Sequence, residues 1–144
     1  MVWELEREQK KREEGFTMIE LIVVISIIGV LAAIAVPKFM HVREMANTSK
    51  IQMDLSTINS AIAMYQTEKG SYPKNIETDL KDYIVDADKL KPPAGTYLLK
   101  DGKRGEVTTQ RYAITADTKE ATLDNHTLAE FGSSEQRAGS ASGS

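Results

Sequence analysis

A single carboxylate, Glu20, interrupts twenty-one otherwise almost wholly apolar residues, Phe16 to Val36 (FTMIELIVVISIIGVLAAIAV). A Glu in hydrocarbon costs free energy, and such residues usually face a partner rather than lipid. A cut between Gly15 and Phe16 would create that partner. The new α-amino group would lie one helical turn from Glu20, and a pKa of about 7.7–8.0 would leave it largely protonated near neutral pH. The two opposite charges could then be buried together, within one helix or between neighbouring helices. Without these flanks, Glu20 is equally a polar residue tolerated near a membrane interface, where water reaches it.

Little other chemistry is encoded. His41 and His126 are far apart and the chain has no Cys, so no transition-metal site is expected. There is no Gly-rich phosphate loop and no nucleophile with its base. We therefore expect no enzyme and no cofactor. Asp117, Glu120 and Asp124 could offer oxygens to Ca²⁺, but their spacing matches no calcium loop and they read as solvated loop charges. Formal net charge is −3, and about −2 without residues 1–15, which gives no nucleic-acid footprint. The five tyrosines read as packing residues.

The stretch G|FTMIELIVVISIIGVLAAIAVPKF resembles the N-terminal signature of type IV pilins and the related pseudopilins. Four marks of that signature fall in place: Gly15 before the cut, Phe16 first, Glu20 fifth, and Pro37 at the twenty-second mature position. The resemblance covers roughly residues 15–45. It implies that a prepilin peptidase cleaves after Gly15 and N-methylates Phe16. The helices would then pack, with Glu20 as the assembly charge, into the core of an extracellular or periplasmic filament.

The elements that must position these residues follow in order. Residues 1–15 are charged throughout and read as a leader, lost on cleavage together with Trp3, the sole Trp. They lack the short h-region and small-residue site of a secretory signal. Lys10, Lys11 and Arg12 favour a cytoplasmic N-terminus, against Lys38, Arg43 and Lys50 on the far side. Residues 16–69 read as one long helix of ~80 Å, of which 16–36, at ~31 Å, can cross a bilayer core. Beyond Pro37 it becomes amphipathic, with Ile51, Leu55, Ile58, Ile62 and Tyr65 on one stripe. Pro37 removes a backbone N–H and predicts a kink or local melting over Ala33–Pro37. Gly29 is a second weak point. It is either ordinary transmembrane composition or a small-xxx-small pair with Ala33 that lets helices approach.

Gly70 and Pro73 end the helix. The turn Gly70-Ser71-Tyr72-Pro73 also resembles the major pilins and the major pseudopilins of type II secretion and competence systems. Residues 70–131 read as a head. Leu80, Tyr83 and Ile84 predict a short helix, and Thr96–Lys100 a strand. Asp101–Gly105 predicts a hairpin loop, Val107–Thr115 the returning strand, and Thr118–Leu123 a third. Leu128 and Phe131 are placed to close the sheet's edge. Residues 132–144 form a Gly/Ser-rich tail.

The expected fold is therefore α+β: a long N-terminal helix with a small antiparallel β-sheet head on its C-terminal half. The expected function is that of a type IV pilus-like filament subunit, self-associating as a helical homo-oligomer. It would begin as a single-pass protein of the inner membrane, surrounded by lipid, and meet the prepilin peptidase and a membrane assembly platform. The alternative is a major pseudopilin of a type II secretion or competence pseudopilus. A lesser alternative is a membrane-anchored binding domain that never polymerises.

Overall fold

The computed structural model describes Gly15 and residues 17–132. The leader, Phe16 and the tail beyond Gly132 lie outside the described residues. Helix α1 runs Met18–Lys69 and passes through two compact units that divide after Phe39. In the first unit every described residue is exposed except half-buried Ala32.

The second unit holds the core. Ile51, Leu55, Ile58 and Ile62 of α1 are buried as the stripe predicts, Ala61 joins them, and Tyr65 packs at the margin. At its end, the Gly70 N–H donates to Gln66 O and Gly70 adopts φ +70°, the left-handed geometry that glycine enters without strain.

The short helix falls earlier than predicted. Helix α2 is Ile76–Asp79, started by Asn75, whose Oδ1 accepts from the N–H groups of Glu77 and Thr78. Asp79 folds back to accept from the N–H groups of Lys74 and Asn75, which closes the turn on itself. Leu80 and Ile84 are buried, but in turns rather than a helix. Tyr83 stacks edge-on against Tyr65, and its hydroxyl donates to Glu68. A single 3₁₀ turn, η1, follows at Ala87–Lys89.

The strands are shorter than predicted and form two sheets instead of one. β1 (Thr96–Leu98) pairs antiparallel with β2 (Arg104–Glu106). β3 (Ala113–Ile114), β4 (Ala121–Leu123) and β5 (His126–Thr127) form a three-stranded sheet in that order. The returning strand thus begins at Arg104, inside the predicted loop, and only Ala113–Ile114 of Val107–Thr115 are strand. The cause is the Tyr97–Gly105 cross-strand pair. Tyr97, 2% exposed, lies over Gly105, and any Cβ there would overlap its ring. A strand whose one inward position is glycine has no apolar alternation to read.

The other edge of β1 is completed by side chains and by the chain's end. Asn47 Nδ2 donates to the carbonyls of Ala94 and Thr96 at 3.2 and 3.0 Å. Thr48 Oγ1 accepts from the Leu98 N–H at 2.9 Å. Beyond that, Leu99 bridges Phe131, and the N–H groups of Lys100 and Gly132 donate to Glu130 O and Leu98 O. Phe131, 0% exposed, does close the sheet edge, on the strand rather than around it. The residues Leu128–Glu130 before it form a 3₁₀ turn, η2. An edge so covered cannot pair with stray strands.

Two buried carboxylates sit on the head-facing side of α1. Glu44 Oε1 accepts from Thr96 Oγ1 at 3.1 Å. Its Oε2 has no hydrogen-bond partner, and its charge is met by Arg104 Nε at 3.4 Å. Asp54 Oδ2 accepts from Lys50 Nζ at 2.7 Å and from the Tyr112 hydroxyl at 2.6 Å. Farther along, Asn59 Oδ1 takes the Ala121 N–H, and Gln52 donates to Phe131 O. Apart from the Lys50 pair, each of these contacts spans helix to head, so the polar residues of α1 carry the register that its apolar stripe alone would leave free.

Candidate assembly site on the N-terminal helix

Residues 18–36 have no polar side chain besides Glu20 and Ser26. Ser26 satisfies its hydroxyl within the helix, donating to Ile22 O at 2.6 Å. The apolar groups are presented on every side: Ile19, Leu21, Ile22, Val23, Val24 and Ile25 are each half-exposed or more, and so are the large apolar side chains beyond them to Val42. A helix apolar all round belongs in lipid or in the middle of other helices. Among the described residues, α1 is the one helix long and apolar enough to cross a membrane.

At its start, Thr17 and Glu20 cap each other. Glu20 Oε2 accepts from the Thr17 N–H at 2.8 Å and from Thr17 Oγ1 at 3.0 Å, while Thr17 Oγ1 accepts from the Glu20 N–H at 3.3 Å. This reciprocal arrangement is a capping box, and it satisfies donors that a helix terminus leaves unpaired. The four-residue signal Thr-x-x-Glu stands in the sequence at 17–20, but reading Glu20 only as a charge in lipid passes over it. The carboxylate thus has two capacities. One oxygen fixes the first turn. Oε1 accepts no hydrogen bond among the described residues.

Gly15 is exposed, and Phe16, with any N-terminal chemistry on it, lies outside the described residues. Gly29 and Pro37 both lie inside α1, which is helical through them. A Cβ added at Gly29 would meet nothing within 4 Å. Among the acidic residues weighed for Ca²⁺, Asp124 is held by the Thr108 N–H and hydroxyl at 3.1 and 2.6 Å. No three metal-ligating side chains gather among the described residues. His126 lies 3.2 Å from Glu130 and packs edge-on against Tyr97 and Phe131.

Residues 10–36 match the prokaryotic N-terminal methylation motif. The chain is also 40% identical over 65 residues to the type II secretion system core protein G of Aeromonas hydrophila, which covers 45% of this chain and 46% of that one. It is 38% identical over 87 residues to core protein G of Klebsiella pneumoniae, across 60% and 61% of the two chains. It is 40% identical over 62 residues to the type IV narrow pilus major component PilA5 of Thermus thermophilus, across 43% and 53%. The chain therefore spans about half to three fifths of the length of these relatives. No solved structure matches it at a comparable level. The segment that matches the motif overlaps the exposed apolar part of α1, and the resemblance drawn from Gly15, Phe16, Glu20 and Pro37 is upheld by both kinds of relative.

Proposed function

We propose that this chain is the structural subunit of a type IV pilus-like filament, a prepilin that polymerises through α1 and is not itself a catalyst. The observation that carries the reading is a methylation-motif helix with apolar side chains exposed on every side and one Glu at its head. Before assembly the helix spans the inner membrane with its N-terminus cytoplasmic. A prepilin peptidase cuts after Gly15 and N-methylates Phe16. The new ammonium of one subunit then pairs with the Glu20 carboxylate of a neighbour, at the assembly platform. A Glu left unpaired in lipid is penalised, and docking on the growing filament relieves the penalty, which makes the pair a check on recruitment. The bare surface at Gly29 supports close approach by a second helix. Pro37, which has no N–H to give to the helix, is where α1 would stretch or bend inside the filament. By this division residues 1–15 are the leader, 16–36 the filament core, 70–131 the head and 132–144 the tail.

N-terminal sequencing of the mature protein tests this. A start at N-methyl-Phe16 is expected, whereas an intact Met1 would leave only an anchored domain. Electron microscopy of sheared surface material, with mass spectrometry of the fibres, then tests polymerisation. The relatives named core protein G favour a second reading, a periplasmic pseudopilus of a type II secretion or competence system. Fibres outside cells at native expression would decide for the pilus.

A further inference from the structure

The apolar surface of α1 does not stop where the run from Phe16 to Val36 ends. Phe39, Met40, Val42 and Met45 follow it, and all four are exposed. Interleaved with them stand Lys38, His41 and Arg43, exposed and without an ion pair among the described residues. Acids are withdrawn from the same stretch. Between Glu20 and Glu68, α1 carries only Glu44 and Asp54, and both are buried. Glu44 is paired with Arg104 and Asp54 with Lys50. The head adds exposed Glu106, which stands opposite Thr96, the residue whose hydroxyl donates to Glu44. Lys38 and Arg43 outnumber it, so the stretch presents apolar side chains with an excess of positive charge.

Two properties of this arrangement select its partner. The first is direction. With 3.6 residues per turn, His41 lies roughly 300° and Arg43 roughly 140° around the axis from Lys38. A partner docked on one face of the helix cannot meet all three, whereas a layer that encircles the helix can. The second is depth. At 1.5 Å per residue, Lys38 and Arg43 lie ~3 and ~10 Å beyond Val36. A bilayer's headgroup region is roughly 5–8 Å deep on each side of its hydrocarbon core. Long basic side chains keep their stems on apolar surface and their charges in that region. Cations on this side of a span also run against the usual bias toward the cytoplasmic side, a cost that contact with anionic headgroups offsets.

We infer that Lys38, His41 and Arg43, set among Phe39, Met40, Val42 and Met45, form a girdle that binds anionic phospholipid headgroups at the far face of the membrane. Burial of Glu44 in the head belongs to the same design, because an exposed carboxylate at that depth would repel those lipids. The inference rests on the membrane-spanning stage of the filament reading and names the lipid class that this stage favours.

The full chain is reconstituted into vesicles of mixed phosphatidylcholine and phosphatidylglycerol, each lipid in turn carrying a photoreactive diazirine in its headgroup region. After illumination, mass spectrometry of labelled peptides separates the girdle from the cations of residues 1–15. Residues 38–45 should take about twofold or more label from phosphatidylglycerol than from phosphatidylcholine, and molar salt should shrink the excess. Lys38→Gln with Arg43→Gln should bring the two lipids level while the protein stays resistant to alkaline extraction. Equal labelling of the native chain by both lipids overturns the girdle and leaves the membrane span standing. So does a stretch 38–45 that takes no label because protein covers it, or an excess that survives molar salt or the double substitution. If alkaline carbonate extracts the native chain from the vesicles, the membrane-spanning stage itself falls and the girdle falls with it.

Discussion

Tyr112→Phe removes one hydroxyl from the seam between α1 and the head, and its cost can be worked from the geometry. Tyr112 and Asp54 are 7% and 5% exposed, and the hydroxyl donates to Asp54 Oδ2 at 2.6 Å. Lys50 reaches the same oxygen at 2.7 Å, so the variant leaves Asp54 with one partner rather than none. The expected loss is that of one hydrogen bond to a charged group, about 1.5–3 kcal/mol, or on the order of 10 °C in Tm. Asp54→Ala should cost at least as much, because it strands the buried Tyr112 hydroxyl, while the freed Lys50 is half exposed and returns to water. The double variant should add little to Asp54→Ala, since the shared contact is already gone. Burial first, and then the bond to Asp54, push the Tyr112 phenol well above its ordinary value. A folded-state value above the unfolded one gives stability that is complete below about pH 10 and lost above it, because the unfolded chain releases its proton first. The stability gap between the native chain and the Tyr112→Phe variant should therefore narrow at alkaline pH. Tyr83, through its bond to Glu68, and Tyr97, through burial, are raised as well, so both chains weaken and only their difference reports Tyr112. Thermal unfolding of the chain in detergent, followed by near-UV circular dichroism, measures this. A Tyr112→Phe protein that melts within roughly 2 °C of the native one, or a gap that stays constant from about pH 8 to about pH 11, refutes the reasoning.

The observed cap and the proposed assembly role of Glu20 separate by substitution. A capping box accepts Gln at the Glu position. Glu20→Gln should therefore insert, be cleaved and keep its first turn, yet yield few filaments, whereas Thr17→Ala frays that turn and still assembles. Sheared-filament yield against membrane-bound subunit checks both, and a native yield from Glu20→Gln rejects the charge mechanism. Gly105→Ala forces Tyr97 off its partner and should destabilise the head by about 1–3 kcal/mol in thermal unfolding; an unchanged Tm would show that the ring can yield. Thr48→Val leaves the Leu98 N–H without its acceptor, at about 1–3 kcal/mol, and should speed amide exchange at Leu98. Unaltered protection there would mean the edge is held without Thr48.

The N-terminal reading is legible because its signals are contiguous. An apolar run broken by one carboxylate, four marked positions and a stripe at Ile51, Leu55, Ile58 and Ile62 need no distant partner to be recognised. The capping box is equally local, and it escapes notice only because lipid burial draws attention to the charge of Glu20 rather than to its hydrogen bonds. The head is less legible. A two-residue strand such as Ala113–Ile114 has no period to display, and β2 carries glycine at its inward position. Asn75 does announce a helix start, and that cap, weighed against the spacing of Leu80, Tyr83 and Ile84, places α2 correctly.

By itself, then, the sequence determined that a long helix would carry an unshielded apolar half and an amphipathic half, since both properties belong to a continuous segment with its own periodicity. Only the tertiary structure decided which polar groups on that helix would hold the head. Asn47, Thr48 and Asn59 read as ordinary solvated positions until strand edges are brought against them, and Glu44 and Asp54 become buried charges only when Arg104 and Tyr112 arrive. Their burial depends on residues far away in the chain, and no local pattern encodes such a meeting.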